Sequence, residues 1–126
     1  MIDMLRGAVK DALDAGFAGL CAAGDMNWLL DEAPGSHEIV EYEALLTYFF
    51  GDPNNKALGL CQYNRKTLPP QILDTCLATH RLIRVAGPVI LENPFYELPA
   101  LAISQPHDGE DVDLKLAHIE TLPAAS

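Results

Sequence analysis

Residues 17–24 read FAGLCAAG, a continuous apolar run of strand length with no alternation of polar and apolar positions. Such a run is the signature of a strand buried on both faces, as in a parallel sheet with helices on either side. A second run, ALGLCQY at 57–63, has the same character. Before the first run, Ile2, Leu5, Ala8, Val9, Ala12 and Leu13 recur at helical spacing, and Gly16 follows where a left-handed C′ residue would stand. Between the runs, Ser36 is a candidate N-cap after Pro34-Gly35. Ile39, Tyr42, Leu45, Leu46, Phe49 and Phe50 mark a helix that Gly51-Asp52-Pro53 stops.

Beyond the second run, Pro69-Pro70 opens a helix with Ile72, Leu73, Cys76 and Leu77 on its apolar face, ending near His80. LIRVAG and PVILENP read as two further short strands around a Gly87-Pro88 turn. The alternation predicts an α/β fold: a mostly parallel sheet of about four strands with flanking helices. The domain is assigned to residues 1–97. Residues 98–126, with Pro99, Pro106, Pro123 and the acidic HDGEDVD stretch, read as an acidic, proline-containing linker or tail. Within it DVDLKLAHIETL fits both period 2 and period 3.6 for part of its length, so a short helix and a strand both stay open.

The 126 residues carry a net charge of −10 and are 49% hydrophobic, which is a globular composition. The acidity argues against direct nucleic-acid contact and against anionic membrane surfaces. Lys56, Arg65, Lys66, Arg81 and Arg84 make the middle the one region where an anion would be welcome, although solvated helix ends are the simpler account. No signal peptide or membrane-spanning run is visible, and Cys21, Cys61 and Cys76 form no CxxC pair, so a cytoplasmic setting without structural zinc is expected. Cys21 and Cys61 read as small core residues.

Open parallel sheets bind ligands beyond the carboxyl ends of their strands. The first strand ends in Asp25-Met26-Asn27-Trp28, the second in Gln62-Tyr63-Asn64-Arg65, the last in Glu92-Asn93-Pro94-Phe95-Tyr96. If these strands are neighbours, a carboxylate, amides, phenols and an indole converge on one rim. Each cluster singly is explained by loops being polar, but Trp28, Tyr63 and Tyr96 are less ordinary there. Catalytic readings are weaker. A metal-holding Asp25 would need a phosphate cradle, and Lys66-Thr67 lacks the preceding glycines; a turn cap is the simpler role. Cys76 and His80 at i, i+4 could pair as nucleophile and base, but packing neighbours are the commoner outcome.

GLCAAGDMNWLL at 19–30, Tyr42-Glu43, LCQYN at 60–64, His80 and NPFY at 93–96 follow one another in an order that resembles the MEDS domain, the methanogen/methylotroph DcmR sensory domain. The resemblance runs over about residues 1–97 and is to the C-terminal portion of that domain. It implies the second half of a RecA/KaiC-like sheet, and a sensory role attached to histidine kinases of two-component systems or to transcription regulators. It places family positions on Gly24, Asp25, Met26, Trp28, Tyr42, Glu43, Cys61, Gln62, Tyr63, Asn64, Asn93, Pro94 and Tyr96. Asp25 stands where the family often has Glu, and Asn64 where it often has Asp, which weakens acid–base or metal chemistry at Asn64.

The expected function is therefore a non-catalytic ligand-sensing module for signal transduction. An unidentified small molecule would be bound by Asp25, Met26, Trp28, Tyr42, Glu43, Gln62, Tyr63, Asn64, Asn93 and Tyr96, and its occupancy passed to an output through residues 98–126. No cofactor is specified, and neither metal nor catalytic residues are expected. The alternative is a protein-interaction or oligomerisation module without a small-molecule ligand. In the resemblance a preceding half supplies the first strands, so a homodimer or partner protein is expected at an open sheet edge or helix face. A nucleotide hydrolase ranks last.

Overall fold

The computed structural model describes residues 1–32 and 36–125, with the side chains of Glu32, Ser36 and His37 also left aside. The cap role of Ser36 lies outside the described residues. Helix α1 (Ile2–Asp14) buries Leu5 and Val9, the stripe that its apolar spacing predicts. Gly16 adopts φ +94°, and the amides of Gly16 and Phe17 return to the carbonyls of Leu13 and Ala12. This is a Schellman closure, and the left-handed backbone at its C′ position is why glycine stands there.

Strand β1 (Leu20–Asp25) is followed by a short helix α2 (Trp28–Glu32), the long helix α3 (Ser36–Gly51) and strand β2 (Ala57–Gln62). The two strands pair in parallel, from Leu20 opposite Ala57 to Asp25 opposite Gln62. Their inner face packs on α1 and α3, where Leu5, Val9, Leu46 and Phe49 form a cluster with Leu20, Ala22, Ala57 and Cys61. The expected cover on both faces is not found among the described residues. Burial in β2 alternates strictly, leaving Leu58 66% and Leu60 44% exposed, and Cys21 lies in the open rather than in the core. The reason is that α4 (Pro70–Thr79) packs chiefly against α3, so no described helix is left to lie over the outer face.

The expected four-stranded sheet is likewise corrected. Strands β3 (Leu82–Ile83) and β4 (Leu91–Glu92) pair antiparallel with each other in a separate two-stranded sheet. Gly87, at φ +67°, turns the chain back on itself, and Pro88 next to it has no amide to continue a ladder. The fold is mixed α/β with two small sheets.

Residues 98–126, read as a linker, carry helices α5 (Pro99–Ser104) and α6 (Val112–Glu120). Ala102 and Ile119 are fully buried, and Val112, Leu116 and Ile119 join Leu68, Leu73, Leu77 and Leu91 in the largest core cluster. Asp74, buried on α4, anchors this segment: it accepts from Lys115 Nζ at 2.7 Å and from the Gly109 amide at 3.1 Å. No helix among the described residues is long and apolar enough to cross a membrane.

Candidate functional site

Parallel pairing puts the ends of β1 and β2 side by side, with Asp25 and Gln62 as register partners. That part of the expected rim is present. Its polar residues, however, are largely engaged in turns. Asp25 Oδ1 accepts from the Asn27 amide at 3.0 Å, and Asn64 Oδ1 accepts from the Lys66 amide at 2.9 Å. Thr67 ties the two loops together by donating to Asn27 Oδ1 at 3.0 Å. These are the local caps that short polar side chains favour in turns. Met26 is buried against Leu29 and Ile39, and Trp28 stands edge-on to Tyr42 with ring centroids 5.7 Å apart. Gln62 is exposed.

The third expected contribution is not on this rim, because β4 belongs to the other sheet. Asn93 is a buried brace. Its amide donates to the carbonyls of Leu77 at 2.5 Å and His80 at 2.7 Å, and its oxygen accepts from the Phe95 amide at 2.9 Å. Tyr96 is half-buried beside it, with its amide on the Asn93 carbonyl.

The polar centre of the molecule lies one layer inward, under the end of β2. Glu43, on α3, is completely buried. One carboxylate oxygen, Oε1, accepts from the Tyr63 hydroxyl. The other, Oε2, lies 3.4 Å from His80 Nε2 and has no hydrogen-bond partner among the described residues. His80 Nδ1 sits 2.9 Å from the Cys76 carbonyl and 3.1 Å from the Thr79 hydroxyl; the carbonyl only accepts, so the tautomer that satisfies it carries its proton on Nδ1. His80 Nδ1 thus faces the Cys76 carbonyl, and no hydrogen bond between His80 and the Cys76 thiol is found among the described residues. Cys61 Sγ completes the group: one ligand atom from each of Glu43, Cys61 and His80 lies within 4.8 Å of the others. Thr47 braces the helices beneath, donating to the carbonyls of Glu43 and Thr79, both at 2.9 Å.

Burial governs the proton affinities. It pushes the Glu43 carboxyl up, against the opposing pull of His80 and of the Tyr63 hydrogen bond. Burial also pushes the Cys61 thiol up to about 12, with the Glu43 charge adding to it. The Tyr63 hydroxyl is raised well above its ordinary range by burial first, then by Cys76 and Glu43. Each charged form has been taken from water and repaid only in part.

A cleft of about 320 Å³ opens beside this cluster. Five consecutive β2-end residues, Gly59 to Tyr63, line it, so it runs along the edge of β2 that β1 does not occupy. Cys76 and His80 form its inner wall, Arg65 and Arg84 bring cations to it, and Leu116 of α6 reaches it from the C-terminal segment.

Of the ten residues expected to bind ligand, the structure brings Tyr42, Glu43 and Tyr63 to this interior and leaves Asp25, Gln62 and Asn64 at the rim. His80 and Cys61, absent from that set, are central. The signal that could have found His80 was its place directly after an apolar helix, with Cys76 one turn before it.

Comparison with curated proteins and with solved structures finds no match. A family model does match, over residues 1–81, which takes in β1, β2, Glu43, Cys61, Tyr63 and His80. That span is well over half of the chain, and its description is MEthanogen/methylotroph, DcmR Sensory domain: the chain belongs to the MEDS family.

Proposed function

We propose that the chain is a non-catalytic sensory module that takes a small molecule into the cleft along β2 and reports its presence through α6. The observation that carries this reading is the fully buried Glu43 carboxylate, with one oxygen lacking a hydrogen-bond partner among the described residues, beside an open cleft. A purely structural acid would be expected to have both oxygens satisfied. The cleft walls mix leucine, isoleucine and valine with Arg65 and Arg84, which suits a small molecule with an apolar body and an anionic or hydrogen-bonding head. Leu116 connects the cleft to the segment read as the output connection, and a kinase or transcription regulator is the output this reading assigns. A cytoplasmic location goes with it.

The test is thermal unfolding against a panel of small carboxylates, alcohols and thiols. A ligand at a hundredfold its Kd adds about 2.7 kcal/mol, a rise of several degrees. Tyr63→Phe is expected to blunt the response. A flat panel, with α6 amide exchange also unchanged, would overturn the reading. Nucleotide hydrolysis is expected to be nil: turnover of ATP above an Asp25→Asn control would assign the chain to an enzyme class instead.

A second reading is favoured by one observation, the outer face of the parallel pair, where Leu58 and Leu60 are exposed and no described helix lies over them. Apolar patches of this kind mark interfaces. On this reading a second copy of the chain covers the face. Sedimentation at micromolar concentration is expected to give a dimer that Leu58→Asp converts to monomer; a monomer in both cases would exclude it.

A further inference from the structure

We propose that Glu43 Oε2, Cys61 Sγ and His80 Nε2 form a binding site for a divalent cation of borderline softness, best fitted by Zn²⁺, whose fourth position opens to the cleft. Three observations carry it. The first is a mismatch of lone pairs. In the tautomer in which His80 Nδ1 donates to the Cys76 carbonyl at 2.9 Å, with the Thr79 hydroxyl 3.1 Å away as a second neighbour, a neutral imidazole keeps its lone pair on Nε2. That lone pair faces Glu43 Oε2 at 3.4 Å, itself an acceptor without a hydrogen-bond partner in a fully buried side chain. Two acceptors so placed require a cation between or beside them. A proton is the simplest cation, but a charge-assisted hydrogen bond would close to about 2.7–2.9 Å.

The second observation is the donor set and its spacing. Bonds of about 2.0–2.1 Å to nitrogen and oxygen and 2.3 Å to sulfur give a tetrahedron with edges of roughly 3.3–3.6 Å. The 3.4 Å separation of Nε2 and Oε2 is such an edge, and one ligand atom from each of Glu43, Cys61 and His80 lies within 4.8 Å of the others. One imidazole, one carboxylate and one thiol is a mixed set that favours zinc over magnesium or calcium, which demand oxygen. The cation's charge would also displace the thiol proton that burial otherwise retains.

The third is the support behind the ligands. A metal-bound histidine characteristically donates its other ring N–H to a carbonyl or carboxylate, and Cys76 O fills that role. The Tyr63 hydroxyl holds the second oxygen of Glu43, and Asn93 holds the His80 carbonyl at 2.7 Å. Three protein ligands leave one tetrahedral position, and Cys61 and His80 both line the cleft. A water molecule, or the donor atom of a small molecule entering by the cleft, would occupy it. Only this last point rests on the sensor reading.

The test uses the full chain and Zn²⁺ alone, followed by desalting and measurement of metal per chain. One equivalent is expected. Co²⁺ in its place should give tetrahedral d–d bands and a thiolate charge-transfer band. Cys61→Ser and His80→Gln should each weaken binding by about 100-fold or more, since removing a ligand costs at least what removing its support does. Cys21→Ser, which removes the exposed thiol, should leave binding unchanged. Absence of retained metal, or full retention in the Cys61 and His80 variants, would overturn the proposal. Should those variants fail to fold, X-ray absorption of the zinc-loaded wild type decides: one sulfur among light-atom neighbours supports the site, and none or several overturn it. Zinc loading without any response to the small-molecule panel would sink the sensor reading alone. A response by chelator-treated protein that takes up no zinc would sink this proposal alone.

Discussion

Asp74→Ala is expected to destabilise the protein by about 3 kcal/mol and to detach α6. Asp74 is buried on α4, and both its oxygens are engaged, one by Lys115 at 2.7 Å and the other by the Gly109 amide at 3.1 Å. Removing one partner of a buried pair usually costs about 3–5 kcal/mol, because the other is left uncompensated. Lys115 is partly exposed and can turn to water, which places the estimate at the lower end. Gly109 cannot adapt so readily. It holds φ +82°, and a Cβ there would come within 2.5 Å of the Pro70 carbonyl carbon. The loop is thus pressed against the start of α4, and the amide has nowhere else to point. Urea unfolding should show the loss, and hydrogen exchange should show residues 112–120 unprotected while α1 and α3 keep their protection. Asp74→Asn, which can still accept from Gly109, should lose less. A change below about 0.5 kcal/mol would show that Val112, Leu116 and Ile119 hold the helix without the ion pair.

Glu43→Gln is expected to act in the opposite direction, stabilising the metal-free protein by about 1–2 kcal/mol while abolishing Zn²⁺ uptake. A carboxylate buried without full compensation costs stability, and neutral replacement of buried charge is often favourable. Glutamine meets this site well. Its carbonyl oxygen can still accept from Tyr63, and its amide can donate to the Nε2 lone pair of His80, so both of the groups now facing Glu43 stay satisfied. Differential scanning calorimetry in chelator would measure the gain. A loss of stability instead would mean that Glu43 is already neutral or bridged in the free protein. The trade of stability for a binding-competent charge is common at functional sites.

The sequence conveyed the elements whose patterning is local. The apolar stripe of α1, its closure at Gly16, and the two apolar runs that pair in parallel were all readable, and pairing alone puts Asp25 beside Gln62. The rest depends on contacts far along the chain. DVDLKLAHIETL satisfied two periods, and its helical form brings Lys115 to Asp74, 41 residues away. LIRVAG and PVILENP looked like members of one sheet, but Gly87 reverses the chain and makes them a hairpin of their own. A strand that is apolar on both faces does not announce that only one will be covered. The site shows the same limit. Nothing in the spacing of Glu43, Cys61 and His80 reveals that α3, β2 and the end of α4 bring them together, since each lies on a different element.

The parallel pairing of β1 with β2 also governs how the chain must be made. Antiparallel neighbours can zip from a tight turn, but β1 has to wait for a whole crossover before its partner exists. Leu20 finds its register partner only at Ala57, so the intervening helices α2 and α3 leave the ribosome first. At about 5–20 residues per second, the apolar run of β1 spends on the order of two to seven seconds without its strand. Asp74 waits longer still for Lys115. Chains truncated between residues 30 and 60 should therefore be the species that aggregate, whereas chains extended past Lys115 should stay dispersed.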